Sequence, residues 1–217
     1  MKLLGITLLI AIGLLGCNHK VKKHNVRSAG ANEETDASAN AKGGGGMNES
    51  SPAGLNLVWK RYRAFEGGLV QGLSLPKADV CKELGQYSCI DKIHLTVLGG
   101  NEPYQLGQYE RPSAPTALTP LAVERVILAA CGKRLELDKA AGGGALVFKF
   151  FPLAGASPSA AQLKAQAGEL YKRFLAREAE GPELDAVAAF AGKIANPEKA
   201  AISLCLAIGS SAENIFL

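Results

Sequence analysis

Residues 18–52 are almost wholly polar or small and include Gly43-Gly44-Gly45-Gly46, so any folded body in this 217-residue chain must be built from residues 53–217. A stretch with so little to bury cannot offset the entropy of ordering it. It is expected to be a flexible tether, with an end-to-end distance of about 30 Å for a Gly-rich coil. Ahead of it stand Lys2 and an apolar run from Leu3 to Leu15, closed by Gly16 and Cys17. A basic start, an apolar middle and small residues at the end describe an export signal. The run is shorter than the roughly 20 apolar residues of a spanning helix, which argues against an uncleaved membrane anchor.

Leu14-Leu15-Gly16-Cys17 resembles the lipobox of bacterial lipoproteins. An ordinary signal peptide with a chance cysteine fits less well, because Leu15-Gly16 stands where an Ala-x-Ala pattern belongs. The resemblance implies that residues 1–16 are removed and that Cys17 becomes the mature N-terminus, acylated on its sulfur and its amine. At ~0.8 kcal/mol per buried methylene, more than one acyl chain gives lasting attachment to a bilayer. It also implies an envelope location. Because Asn18 rather than Asp follows the cysteine, the outer membrane is favoured over the inner. The expected organisation is therefore signal (1–16), lipidated tether (17–52) and globular domain (53–217).

The tether opens with Lys20, Lys22, Lys23 and Arg27, with His19 and His24 interleaved. So few charges read as a solvated run rather than a lipid-headgroup site. The two histidines lack the fixed geometry a metal needs. A formal net charge of +4, dispersed among acidic residues, gives no nucleic-acid surface. Low aromatic content with abundant Ala, Leu and Gly points to helices.

Residues 55–73 read as a first helix, with Trp59, Tyr62, Phe65 and Leu69 in one stripe and Gly67-Gly68 as a place to bend. A short helix is expected over residues 77–84. Residues 90–98 fit a strand by alternation of Ile93, Leu95 and Val97, or a helix by Ile90, Ile93 and Val97. Residues 102–119, rich in Pro, Gly and Tyr, read as a long loop. Thr119-Pro120 marks a central buried helix, with Thr119 as its cap and Lys133 and Arg134 near its end. After Gly142-Gly143-Gly144, residues 145–153 read as strand-like or extended. Three more helices close the chain, opened by Ser159 with Gln162 as a capping box, by Gly181-Pro182-Glu183, and by Asn196-Pro197. The expected fold class is mainly α: a single bundle-like domain with long Pro/Gly-rich loops and room for one short extended segment or hairpin.

Besides Cys17, the chain carries Cys81, Cys89, Cys131 and Cys205, an even number in an exported protein. Four cysteines allow three pairings. Cys81–Cys89 across a short loop with Cys131–Cys205 between buried helices is the favoured one, and free buried thiols are the alternative. No Cys-x-x-Cys occurs, so neither a thioredoxin-like site nor covalent haem attachment has support.

Nucleophile elbows, zinc motifs, phosphate loops and dinucleotide fingerprints are likewise missing from the sequence. His94 with Asp91 three residues before it is a conceivable acid–base pair, although a structural histidine is the commoner outcome. Glu124-Arg125 and Arg177 with Glu178 read as helix-surface charges. The stretch Glu169 to Glu178, with Glu183-Leu184 downstream, resembles a Leu-Tyr-Arg-Arg-x-Leu-x-Arg element with its trailing Glu. That element belongs to helical modules of large exported bacterial proteins that often accompany c-type cytochromes. Lys172 replaces one Arg of the pattern, and no catalytic residue carries over. The resemblance implies an extracytoplasmic helical body.

The functional expectation is a non-enzymatic envelope lipoprotein, bound to the membrane through Cys17, that scaffolds or binds a protein partner without cofactor, metal or nucleic acid. The alternatives are an accessory subunit of an exported electron-transfer complex and a hydrolase using His94 and Asp91.

Overall fold

The computed structural model describes residues 58–216. The signal segment, Cys17, the tether and residues 55–57 of the expected first helix lie outside the described residues.

Helix α1 spans Tyr62–Gly72 and buries Phe65 and Leu69. It begins later than the apolar stripe predicts because the chain before it is extended. Trp59 forms an antiparallel bridge with Phe216, Lys60 N–H donates to Ile215 O at 2.9 Å, and Tyr62 N–H donates to Leu98 O at 2.7 Å. Trp59 is thus a buried wedge beside the helix rather than part of it. The helix runs through Gly67 and Gly68 without a break.

The helix expected over residues 77–84 is replaced by a single 3-10 turn, Lys77–Asp79, and a small hairpin. Strands β1 (Lys82–Glu83) and β2 (Tyr87–Ser88) pair antiparallel, with Glu83 opposite Tyr87. Leu84 (φ 51°) and Gly85 (φ 70°) make the turn between them. Left-handed backbone at two consecutive residues cannot continue a helix and matches the twist of a hairpin. Cys89–Ile93 then form one wide π-helical turn, closed by His94 N–H donating to Cys89 O at 2.7 Å. Residues 90–98 are therefore neither the strand nor the α-helix expected of them.

The long loop forms a tongue whose neck is the bridge between Glu102 and Gln108, and it carries Tyr104, Leu106 and Tyr109 into solvent.

Helix α2, Thr119–Ala141, is the longest element, with Pro in its first turn. Thr119 is not its cap. The Thr119 hydroxyl donates to Val97 O at 2.9 Å and accepts from Thr116 N–H at 2.9 Å, fastening the loop instead. The helix also continues past Lys133 and Arg134. Arg134 is buried and pairs with Asp138 one turn on, so it does not serve as an end-of-helix cation.

No strand forms over residues 145–153. Their path is set by two buried side chains from distant helices. Asp138 accepts from the amides of Leu146 (2.8 Å), Val147 (3.1 Å) and Phe148 (2.8 Å). Gln166 donates to Val147 O at 2.9 Å and accepts from Phe150 N–H. Buried backbone groups need partners, and here side chains supply what a neighbouring strand ordinarily would.

Helix α3, Ala160–Leu175, starts on the expected capping box of Ser159 and Gln162. Helix α4 (Gly181–Ala191) and helix α5 (Pro197–Gly209) both open with Pro in the first turn. A last turn, α6, covers Ala212–Ile215. The architecture is mainly α: α5 packs on α2 and α3, α4 leans on α3 and α5, and α1 packs on α3. Gly209 permits the tightest of these approaches, since a Cβ there would lie 2.9 Å from Ile127 Cγ2. Disulfides join Cys81 to Cys89 across the base of the hairpin and Cys131 to Cys205 between α2 and α5.

Candidate interaction surface

Helix α2 has two faces of different character. Val123, Val126, Ile127, Ala130 and Cys131 are packed inward and buried. The opposite stripe, Leu121, Arg125, Leu128 and Gly132, recurs at three- and four-residue spacing and faces solvent. Two of its members are large and apolar: Leu121 is 63% exposed and Leu128 47%. One exposed leucine is ordinary on a protein surface. A pair on one stripe, with Leu128 on the wall of a cleft, is a feature to explain.

The cleft lies between this stripe and the hairpin. Its volume is about 490 Å³, and it is lined by Val80, Cys81 and Gly85 on one side and Leu128, Ala129 and Gly132 on the other. Leu84 at the hairpin tip is 87% exposed. The charges at the rim are already matched. Lys82 pairs with Asp79 at 3.6 Å and Lys133 with Glu136 at 3.7 Å. One ion pair clamps the hairpin to the helix: Arg125 Nη2 to Glu83 Oε1 at 2.7 Å. Arg125 is therefore a tie between elements and not the plain surface charge its sequence context suggests.

His94 sits beside that clamp. Its Nε2 is buried without a hydrogen-bond partner. Burial, and then the Arg125 cation, hold its pKa below the ordinary 6.5, with Glu83 opposing. The structure does not make an acid–base pair of His94 and Asp91. Asp91 belongs to a ring of four charges, accepting from Arg63 at 3.0 Å and Lys77 at 3.3 Å, both of which also bind Glu66. No hydrogen bond joins the Asp91 and His94 side chains among the described residues.

Cys81, Glu83 and Cys89 bring ligand-type atoms within 4.8 Å of one another. Both sulfurs are bonded to each other, and a disulfide sulfur is not the thiolate that binds metals.

A second cleft of about 480 Å³ lies near Gly142, Phe148, Phe151 and Leu153. Its polar groups are already engaged: Asp138 by backbone, Lys139 by Glu198 at 2.7 Å and Lys149 by Glu169 at 3.3 Å. Arg173 and Arg177, from the Leu-Tyr-Lys-Arg stretch, are likewise spent within the chain. Arg173 reaches Glu169 at 2.7 Å and the carbonyl of Leu146 at 3.0 Å. Arg177 forks onto both oxygens of Glu183 (2.8 and 2.7 Å) and both of Glu213 (2.6 and 2.7 Å). It thereby joins the end of α3 to α4 and α6.

Among the described residues, no helix is long and apolar enough to cross a membrane. Compared with protein-family models, curated proteins and solved structures, the chain matches none.

Neither the α2–hairpin cleft nor the Arg125–Glu83 clamp is visible to sequence reasoning. Leu121 and Leu128 stand at heptad spacing, but their exposure depends on which side of α2 the other helices cover.

Proposed function

We propose that this chain is a lipid-anchored protein of the bacterial envelope, held through acylated Cys17, most favourably in the outer membrane. It acts without catalysis, as a scaffold or partner-binding subunit. The lipobox-like Leu14-Leu15-Gly16-Cys17 and the polar tether support the attachment. The binding role rests on one observation: Leu128 stands half-exposed on the wall of a cleft whose rim ions are already paired, with Leu121 exposed two turns away on the same stripe of α2. A charged ligand finds no free counter-charge at that rim. An uncharged, apolar segment of a protein partner fits it, lying between Gly85 on the hairpin side and Ala129 and Gly132 on the helix side.

A photo-crosslinking residue placed at Leu84 or Leu128 in intact cells tests the reading, with Lys164 on α3 as the control position. The expected result is one reproducible protein adduct from positions 84 and 128 and none from 164. No adduct, or the same pattern from all three, overturns it. Mass spectrometry of the native protein decides the attachment separately: an unmodified Cys17 thiol removes the anchor.

A further inference from the structure

The two disulfides occupy different surroundings. Cys131 and Cys205 are both 0% exposed and join two long helices in the middle of the core. Cys81 keeps 8% of its surface and lines two clefts, one against α2 and one beside Lys77, Gln86 and Asp91. An incoming thiolate has to reach a sulfur in line, so access decides which disulfide exchanges.

What Cys81–Cys89 holds is also slight without it. Each hairpin strand has two residues, and a hairpin of that size is marginal on its own in water. Beyond the ladder and the Gln86–Glu83 turn bond, its ties are the Arg125–Glu83 pair, the Lys82–Asp79 pair, one backbone bond from Cys89 N–H to Cys81 O at 3.2 Å and one from Asp91 N–H to Ser88 Oγ at 3.0 Å. Exposed ion pairs contribute little. The products of reduction have a place to go: Glu83 Oε1 lies 3.8 Å from Cys89 Sγ, so the Cys89 thiol gains an acceptor the moment it forms.

We infer that Cys81–Cys89 is a reducible clasp: a dithiol whose two thiols are spaced to close an unstrained ring opens it selectively, loosens the hairpin that walls the cleft against α2 and dismantles that cleft. This regulation rests on the reading of that cleft as the partner site. One thiolate of the dithiol bonds to Cys81 Sγ, and the electron pair of the broken S–S bond goes to Cys89 Sγ, which takes a proton. The second thiol of the dithiol then attacks its own sulfur in the mixed disulfide and releases Cys81, which is protonated in turn. The protein gains two electrons and two protons, and the dithiol leaves as a cyclic disulfide.

The full-length protein in detergent is titrated with dithiothreitol under native conditions, and free thiols are alkylated and mapped by mass spectrometry. Cys81 and Cys89 are expected to label at a reductant concentration at least about tenfold below that which exposes Cys131 and Cys205. At that point, hydrogen exchange of the amides of residues 82–88 rises by about tenfold or more, while α2 and α5 stay protected. Simultaneous opening of both disulfides, prior opening of Cys131–Cys205, or unchanged exchange in the hairpin overturns the clasp. The Cys81→Ser/Cys89→Ser variant gives a second measure, since it must show the fast-exchanging hairpin with no reductant at all. None of these readouts involves a partner, so they decide the clasp independently of the crosslinking result.

Discussion

Arg134 and Asp138 lie one turn apart on α2, and Arg134 Nη2 donates to Asp138 Oδ1 at 2.7 Å with both side chains almost wholly out of water. The same carboxylate accepts three consecutive backbone amides from residues 146–148. The pair is therefore not a self-contained ion pair that an apolar couple of equal volume can replace. Its acid also acts as the hydrogen-bonding partner of a buried segment.

Removing Asp138 leaves a buried guanidinium, the buried amides of Val147 and Phe148 and the part-buried amide of Leu146 without their acceptor. Asp138→Ala should lose about 3–5 kcal/mol of stability in urea denaturation. Arg134→Met/Asp138→Leu should recover little of that loss, because the amides stay orphaned. A double variant as stable as the parent would show that the backbone bonds contribute nothing.

Acid sensitivity should centre on Arg177. Its fork, with the Glu180 backbone amide, draws the Glu183 pKa from the ordinary 4.5 down to about 2. Glu213 is lowered by the same guanidinium. A carboxyl whose pKa falls on folding contributes stability above its unfolded pKa and loses it as pH drops toward the folded value. Stability should thus decline between pH 4.5 and about 2, the interval that separates the two Glu183 values. Arg177→Met should flatten that part of the profile in acid titrations followed by circular dichroism.

His94 should titrate below 6.5 in an NMR pH series, as burial and Arg125 both disfavour its cation. Its neutral form then contributes stability above the unfolded pKa, and that contribution is lost as pH falls from there through the folded value. Arg125→Gln should move the midpoint up, only part of the way because burial is the larger cause, and Glu83→Gln should move it down.

The two disulfides should also differ in what they contribute to stability. Cys131–Cys205 spans 74 residues and Cys81–Cys89 spans 8. Loop-closure entropy gives about 4.5 kcal/mol for the longer loop and about 2.5 kcal/mol for the shorter. Replacing each pair by Ser and comparing urea midpoints should reproduce that order. The reverse order would mean that native packing outweighs chain entropy here.

The helices that could be read from the chain are those whose ends carry their own chemistry. Ser159 with Gln162 and the prolines at 182 and 197 mark starts that depend only on neighbours in sequence. Trp59 misleads because its spacing from Tyr62 suits a helix, while its conformation is set by Phe216 at the far end of the chain. The path of residues 145–151 is illegible for the same reason: Asp138 and Gln166 decide it from other elements. The hairpin's strands are too short to show a period of two. Its signal is local and of another kind, the Leu84-Gly85 turn. Of the candidate surface, Leu121 and Leu128 can be seen, but nothing nearby in sequence says that the rest of the protein leaves them uncovered.

Trp59 and Lys60, bridged to Phe216 and Ile215, set how this molecule bears a load. Tension arriving through the preceding chain meets that lacing before it meets α1, and the terminal turn after α5 shares the strain. Trimming Phe216 would weaken the fold far in sequence from the cut, because Ile215 and Phe216 fasten Trp59 and Lys60.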